Sequence, residues 1–212
     1  MQIKSEVKRP NQLVEEEAEQ ERDKHASLLE RKSFRIAITS IFSALCIVLG
    51  YMLVHLPNIE LFTLSIFLSG FVLGKKNGII VGFLSSFIFC FFNPFGPSPF
   101  PLLTFQLFHY SMTGCLGGLI SDYINKKDYF KSDGDAFTFP IMVIFGLIGA
   151  LITISFQIFS TLISVLTYLG IEEFIPYFLT GIVYTVIHII GNTLGFVFIL
   201  PGLIQLINKM LS

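Results

Sequence analysis

Amides, imidazoles and phenols stand inside stretches of this chain that are otherwise hydrocarbon: Gln106 and His109, Gln157 and Thr161, Tyr184 and His188. None of them is a nucleophile with a base beside it. The chain has no His-Glu-x-x-His run, no nucleophile elbow and no Gly-x-x-x-x-Gly-Lys-Ser/Thr loop. What these groups can do together is hold a small ring compound. Amides and imidazoles fix its polar edge, while Phe and Tyr stack against its faces.

Spacing says which elements must position them. Gln106, His109, Tyr110 and Thr113 recur every three or four residues, as do Gln157, Thr161 and Ser164. A third set runs through Thr180, Gly181, Tyr184, His188, Asn192 and Gly195. That period belongs to one face of a helix. Three helices can therefore present one shared hydrogen-bonding pocket, read from the sequence as uncharged. For any single residue the plainer alternative is pairing between neighbouring helices, worth about 0.6 kcal/mol on average; the convergence of three sets at one depth favours a pocket.

The helices must lie in lipid. Of 212 residues 53% are hydrophobic and 14% charged, too little polar surface to cover a water-soluble globule. The reading is an all-α integral membrane protein, a compact bundle of six transmembrane helices at about 35–55, 59–74, 77–93, 102–123, 139–168 and 174–200. Only a helix satisfies its own backbone inside hydrocarbon. The second and third spans are short against the roughly 20 residues a crossing needs. A re-entrant hairpin there would bury Lys75 and Lys76 at about 2.5 kcal/mol or more each, which favours full crossings.

One topology puts all fourteen Lys and Arg residues on a single side: eight from Lys4 to Arg35, then Lys75 and Lys76, then Lys126, Lys127 and Lys131, then Lys209. Basic residues stay cytoplasmic, so both termini are expected in the cytoplasm. The outer connections carry only Glu60, Glu172 and Glu173 as formal charges. One of them, Asn93 to Pro101, is too rich in proline to continue a helix, and reads either as a stiff lid or as a plain breaker. Residues 1–33 form a charged cytoplasmic extension ahead of a membrane domain over 34–212. Cys46, Cys90 and Cys115 sit in apolar runs without disulfide or zinc spacing. No basic patch with interleaved aromatics is present, which argues against nucleic acid as a partner.

Small residues are also patterned. Gly114, Gly117 and Gly118, and Gly146, Gly149 and Ala150, allow helices within the bundle to approach closely. Ala37, Ser40 and Ala44 make a stripe on the first helix that best suits a partner subunit.

With these features the chain resembles the substrate-binding S component of an energy-coupling-factor (ECF) vitamin transporter over roughly residues 34–210. The resemblance lies in the six-helix plan, in Phe67-Leu68-Ser69-Gly70-Phe71-Val72-Leu73-Gly74-Lys75-Lys76-Asn77-Gly78 followed by Val81-Gly82-Phe83, in Gly114-Cys115-Leu116-Gly117-Gly118, and in His188-Ile189-Ile190-Gly191-Asn192-Thr193 through Pro201. It implies capture of a small-molecule micronutrient from outside, through outer-loop residues such as Glu60 and Asn93 and the outer halves of the last three helices. It implies as partners a transmembrane coupling subunit and a pair of ABC-type ATPases, since the chain has no nucleotide loop of its own. The family docks through an Ala-x-x-x-Ala motif, for which this chain offers Ser40-x-x-x-Ala44 with Ala37 one turn earlier.

Two other classes compete. Glu172-Glu173 is similar to the paired glutamates of membrane prenyl-protein endopeptidases, and His109 with His188 could be imagined on a metal, but no Arg follows the glutamates at the motif's spacing. A stand-alone channel or carrier commonly places an ionisable carboxylate or a broken helix within the membrane, and neither is evident from sequence. The expectation is therefore no catalysis, no cofactor and no metal. With no Lys or Arg outside, a multiply anionic ligand would bury uncompensated charge, so a neutral or cationic ring is expected.

Overall fold

The computed structural model describes residues 32–56, 60–126 and 137–211, and all regular structure among them is helical. The charged extension expected over 1–33 lies outside the described residues except for Lys32 and Ser33, which already belong to the first helix. Residues 57–59 and the basic segment at 127–136 also lie outside.

The order is α1 (Lys32–Leu53), α2 (Phe62–Leu73), α3 (Lys75–Phe91), α4 (Phe100–Lys126), α5 (Phe139–Tyr168), a 3-10 turn (Ile171–Glu173), α6 (Phe174–Thr180), α7 (Ile182–Leu194), a π turn (Gly195–Ile199) and α8 (Leu200–Leu211). Three stretches are long and apolar enough to cross a bilayer: Lys32–Leu53, Phe139–Tyr168 and Ile182–Ile207. The expected span at 59–74 is found as α2, which runs from the Glu60 end of the bundle to the Lys75 end. Its helix has 12 residues, about 18 Å at the α-helical rise, short of a hydrocarbon core of about 30 Å.

That short helix is the centre of the molecule. Every residue from Phe62 to Phe71 is buried, so α2 is apolar all round and meets protein on every side. Its Leu64, Phe67 and Phe71 pack with Phe145 and Ile152 of α5 and with Phe196, Leu200 and Ile204 near the C-terminus. Phe62 and Ile66 pack toward Cys46 of α1, Val81 and Cys90 of α3 and Tyr110 of α4.

Glycine lets α2, α3 and α4 approach to backbone contact. A Cβ on Gly70 would overlap the carbonyl of Gly114; one on Gly78 would meet the same carbonyl, and one on Gly117 would meet that of Phe67. The glycines are used inside the bundle, as expected. Gly146 and Gly149 likewise receive Val197 and Phe196. The single residue between α2 and α3 is Gly74 at φ 84, a backbone state that costs little without a Cβ.

Hydroxyls are satisfied locally. Those of Thr39, Ser40 and Ser43 donate to carbonyls one turn back at 2.6, 3.0 and 3.0 Å, the arrangement that removes a polar cost in hydrocarbon. The same helix buries Thr39, Ser43, Cys46 and Gly50, and turns Ile36, Ile41, Val48 and Met52 outward.

The last span differs from its expectation as one helix over 174–200. It breaks at Gly181, widens into the π turn and continues to Leu211. Pro201 explains the widening: its ring cannot donate and clashes with the carbonyl four residues before it, which a local π turn relieves. The chain passes through Pro201 rather than stopping there.

Candidate functional site

Three connections gather at one end of the bundle, between α1 and α2, between α3 and α4, and between α5 and α6. The Tyr51 hydroxyl at the end of α1 donates to the carbonyls of Ile88 and Phe92, both at 3.2 Å. In the proline-rich connection Asn93 Oδ1 accepts from the Phe95 N–H at 3.0 Å, and the Ser98 N–H returns to the Cys90 carbonyl at 3.0 Å. Helix α4 then starts at Phe100 with Pro101 in its first turn, where a missing N–H is tolerated. At the opposite end Lys75 and Asp122 pair at 2.8 Å, both half exposed.

Beneath the three connections lie two adjoining cavities. The first, of about 210 Å³, is lined by Glu60, Asn93, Ser98, Gln106 and His188 among apolar side chains that include Leu53, Phe89 and Tyr110. The second, of about 300 Å³, is lined by Gln106, Gln157, Ser160, Thr161, Ser164, Tyr177, Tyr184 and Thr185. Gln106 and Phe156 border both. Phe156 is also the aromatic hub, its ring centroid 5.2 Å from His109, 5.7 Å from Tyr110 and 6.3 Å from His188.

Glu60 does not stay in its connection. Its side chain folds in to 18% exposure, and its Oε1 receives three donors: the Thr63 hydroxyl, His188 Nε2 at 3.1 Å and, more weakly, Asn192 Nδ2 at 3.5 Å. A carboxylate is acceptor-only when ionised, so three donors on one oxygen suit the charged form. The other nitrogen of the His188 ring, Nδ1, meets Gln157 Nε2 at 3.0 Å. Asn192 Nδ2 also donates to Thr153 Oγ1 at 2.9 Å. The network thus ties α2 to α5 and α7.

Two expectations are corrected by this. The pocket is not free of charge, because the carboxylate of Glu60 lines its first cavity. A carboxylate inside the bundle and a broken helix are both present, although neither was evident from sequence. One polar acceptor is left over: Gln106 Oε1 is buried, and no partner for it exists among the described residues.

Of the eight candidate residues, Glu60, Asn93, Gln106 and His188 line the first cavity, and Gln106, Gln157, Thr161 and Tyr184 the second. His109 lines neither; its ring packs against Phe105, Tyr110 and Phe156. Sequence reasoning missed Thr63, Thr153 and Phe156. Thr153 stands one turn before Gln157 and continues its face, a signal that was available. Phe156 is one of 24 phenylalanines and had none.

A family model for the S component of ECF-type riboflavin transporters matches residues 31–200. The chain belongs to that family. Comparison with curated proteins and with solved structures found no match. As an S component it is a membrane protein and the substrate-binding subunit of an ECF transporter, a family of transporters rather than enzymes. S components bind a small vitamin-like substrate and associate with a module of coupling protein and ATPases. In this S component the stripe Ala37, Ser40 and Ala44 is exposed on α1, away from both cavities.

Proposed function

We propose that this S component captures riboflavin, the vitamin its family is named for, in the paired cavities beneath the three outer connections. Supporting this most directly is the buried, unpartnered Gln106 Oε1 on the wall common to both cavities. An orphaned acceptor inside a protein costs about 1–3 kcal/mol, a cost that a ligand donor would remove. Riboflavin supplies such a donor on a flat, neutral ring system, which also agrees with an aromatic site lacking Lys and Arg. Its polyol chain matches the hydroxyl and amide groups of Gln157, Ser160, Thr161, Ser164 and Tyr184. Together the cavities fall in the usual size range of small-molecule sites.

The binding residues in this reading are Glu60, Asn93, Gln106, Gln157, Thr161, Tyr184 and His188, with His109 holding Phe156 from behind. The same reading takes α1 to α5 and the broken α6–α8 run as six membrane-embedded segments with the cavities outward and both termini in the cytoplasm, supported by the basic residues that the sequence gathers on one side. Ala37, Ser40 and Ala44 meet the transmembrane coupling subunit, and the ABC-type ATPase pair powers uptake. The test is titration of the purified chain with riboflavin, followed by quenching of flavin fluorescence. Saturable binding with one ligand per chain is expected, without uptake into liposomes that hold this chain alone. Failure to quench, or uptake without partners, would overturn the proposal.

A further inference from the structure

We propose that Glu60 is a charge filter: it makes this S component accept the neutral vitamin and reject its phosphate ester. The inference rests on the flavin reading above and adds a specificity-determining residue to it.

The electrostatic surroundings of the cavities are one-sided. No Lys or Arg is among the residues that line either cavity. Lys75 and Lys76 open α3 and Lys126 closes α4, at the end of the bundle opposite the three connections. The α5–α6 connection beside the second cavity adds only Glu172 and Glu173, both exposed. Around Glu60 itself, α2 contributes Thr63, α5 Gln157 and Thr153, and α7 His188 and Asn192. Of these only His188 can carry a positive charge. Both of its nitrogens are engaged, Nε2 by Glu60 and Nδ1 by Gln157, so neither is left to meet a ligand phosphate.

A phosphate monoester carries about −1.5 to −2 charge at neutral pH. The Glu60 side chain is largely buried, so its repulsion of a bound anion is screened less than that between surface charges. The phosphate would also lose its hydration with no cation to replace it. Neutral riboflavin meets neither penalty. Discrimination of this kind needs no steric clash, because the unwanted ligand is rejected by charge alone.

The experiment compares dissociation constants for riboflavin and riboflavin phosphate on the full chain in detergent. The phosphate is expected to bind about tenfold more weakly or worse, with the ratio falling about tenfold in Glu60→Gln and staying high in Glu60→Asp. Glutamine keeps an acceptor oxygen for Thr63 and loses only the charge. On the unaltered protein, a neutral ester of riboflavin at the phosphate's position should bind much more tightly than the phosphate, which tests charge against bulk without any variant. Equal binding of riboflavin and its phosphate would overturn the filter and leave the flavin reading standing. A ratio unchanged in Glu60→Gln, or an ester rejected as strongly as the phosphate, would overturn it too. No riboflavin binding at all would overturn the flavin reading and the filter with it.

Discussion

His188 Nε2 lies 3.1 Å from Glu60 Oε1 across 128 residues of chain, and this contact joins the segment that leads into α2 to α7. Both side chains are largely buried, at 7% and 18% exposure. A buried pair is weak proof of stability, but removing one member leaves the other charge or dipole without an answer. His188→Ala should therefore destabilise the folded protein by on the order of 3 kcal/mol. Thermal unfolding in detergent checks this; a melting temperature equal to that of the unaltered protein would show that Glu60 finds another partner.

Gln106 behaves differently because its acceptor has nothing to lose. Gln106→Ala should leave thermal stability of the unliganded protein unchanged or slightly raised. Riboflavin affinity should fall about tenfold, the effect of one buried hydrogen bond of about 1–1.5 kcal/mol. Gln157→Ala and Tyr184→Phe should each weaken binding as well. Gln157→Ala should also lower the melting temperature, because Gln157 orients the His188 ring. Calorimetric titration beside a thermal scan separates the two effects. Normal binding in all three variants would place the ligand elsewhere.

The contrast between these residues shows what the sequence could reveal. Helix α5 begins and ends at the residues expected, Phe139 and Tyr168, because its apolar run is long and bounded by Pro140 and Gly170. Gln157 and His188 were legible as members of helical polar faces. Glu60 was legible as a candidate binding residue of a loop but not as the partner of His188, since nothing local to residue 60 signals a partner 128 positions away. That α2 is sheathed in protein was not legible, because an all-apolar segment has no face, and periodicity cannot tell lipid from protein as its surroundings. The last span was read as ending at about residue 200, because the π turn that carries the helix on through Pro201 leaves no sequence mark.

The glycine contacts among α2, α3 and α4 yield a stability prediction. At Gly114 a Cβ would strike the backbone of Gly78, which cannot move aside as a flexible side chain would. Gly114→Ala should separate α3 from α4 and cost at least the ~1–3 kcal/mol typical of overpacking. Gly181→Ala should be far milder, because its nearest neighbour is the Phe178 carbonyl at 3.8 Å. Monodisperse yield and melting temperature of the two variants should differ clearly; equal behaviour would mean that the helices slide without penalty.

Partner docking is tested from α1. Its buried face is already occupied by Thr39, Ser43, Cys46 and Gly50 against the bundle, whereas Ala37, Ser40 and Ala44 face outward without bulk. The Ser40 hydroxyl is bonded to the Ile36 carbonyl at 3.0 Å, so this stripe presents a smooth surface with no unmet polar group. Helices pack closely in lipid where side chains are small, and lipid itself gains nothing from small residues there. Ala44→Trp places a large ring on the stripe without touching either cavity. Co-purification with the coupling subunit should drop about tenfold, the effect of ~1.4 kcal/mol lost at a packed interface, and riboflavin affinity of the isolated chain should hold within about twofold. Undiminished co-purification would move the docking surface to another exposed face, such as the row Ile80, Phe83, Leu84 and Phe87 on α3.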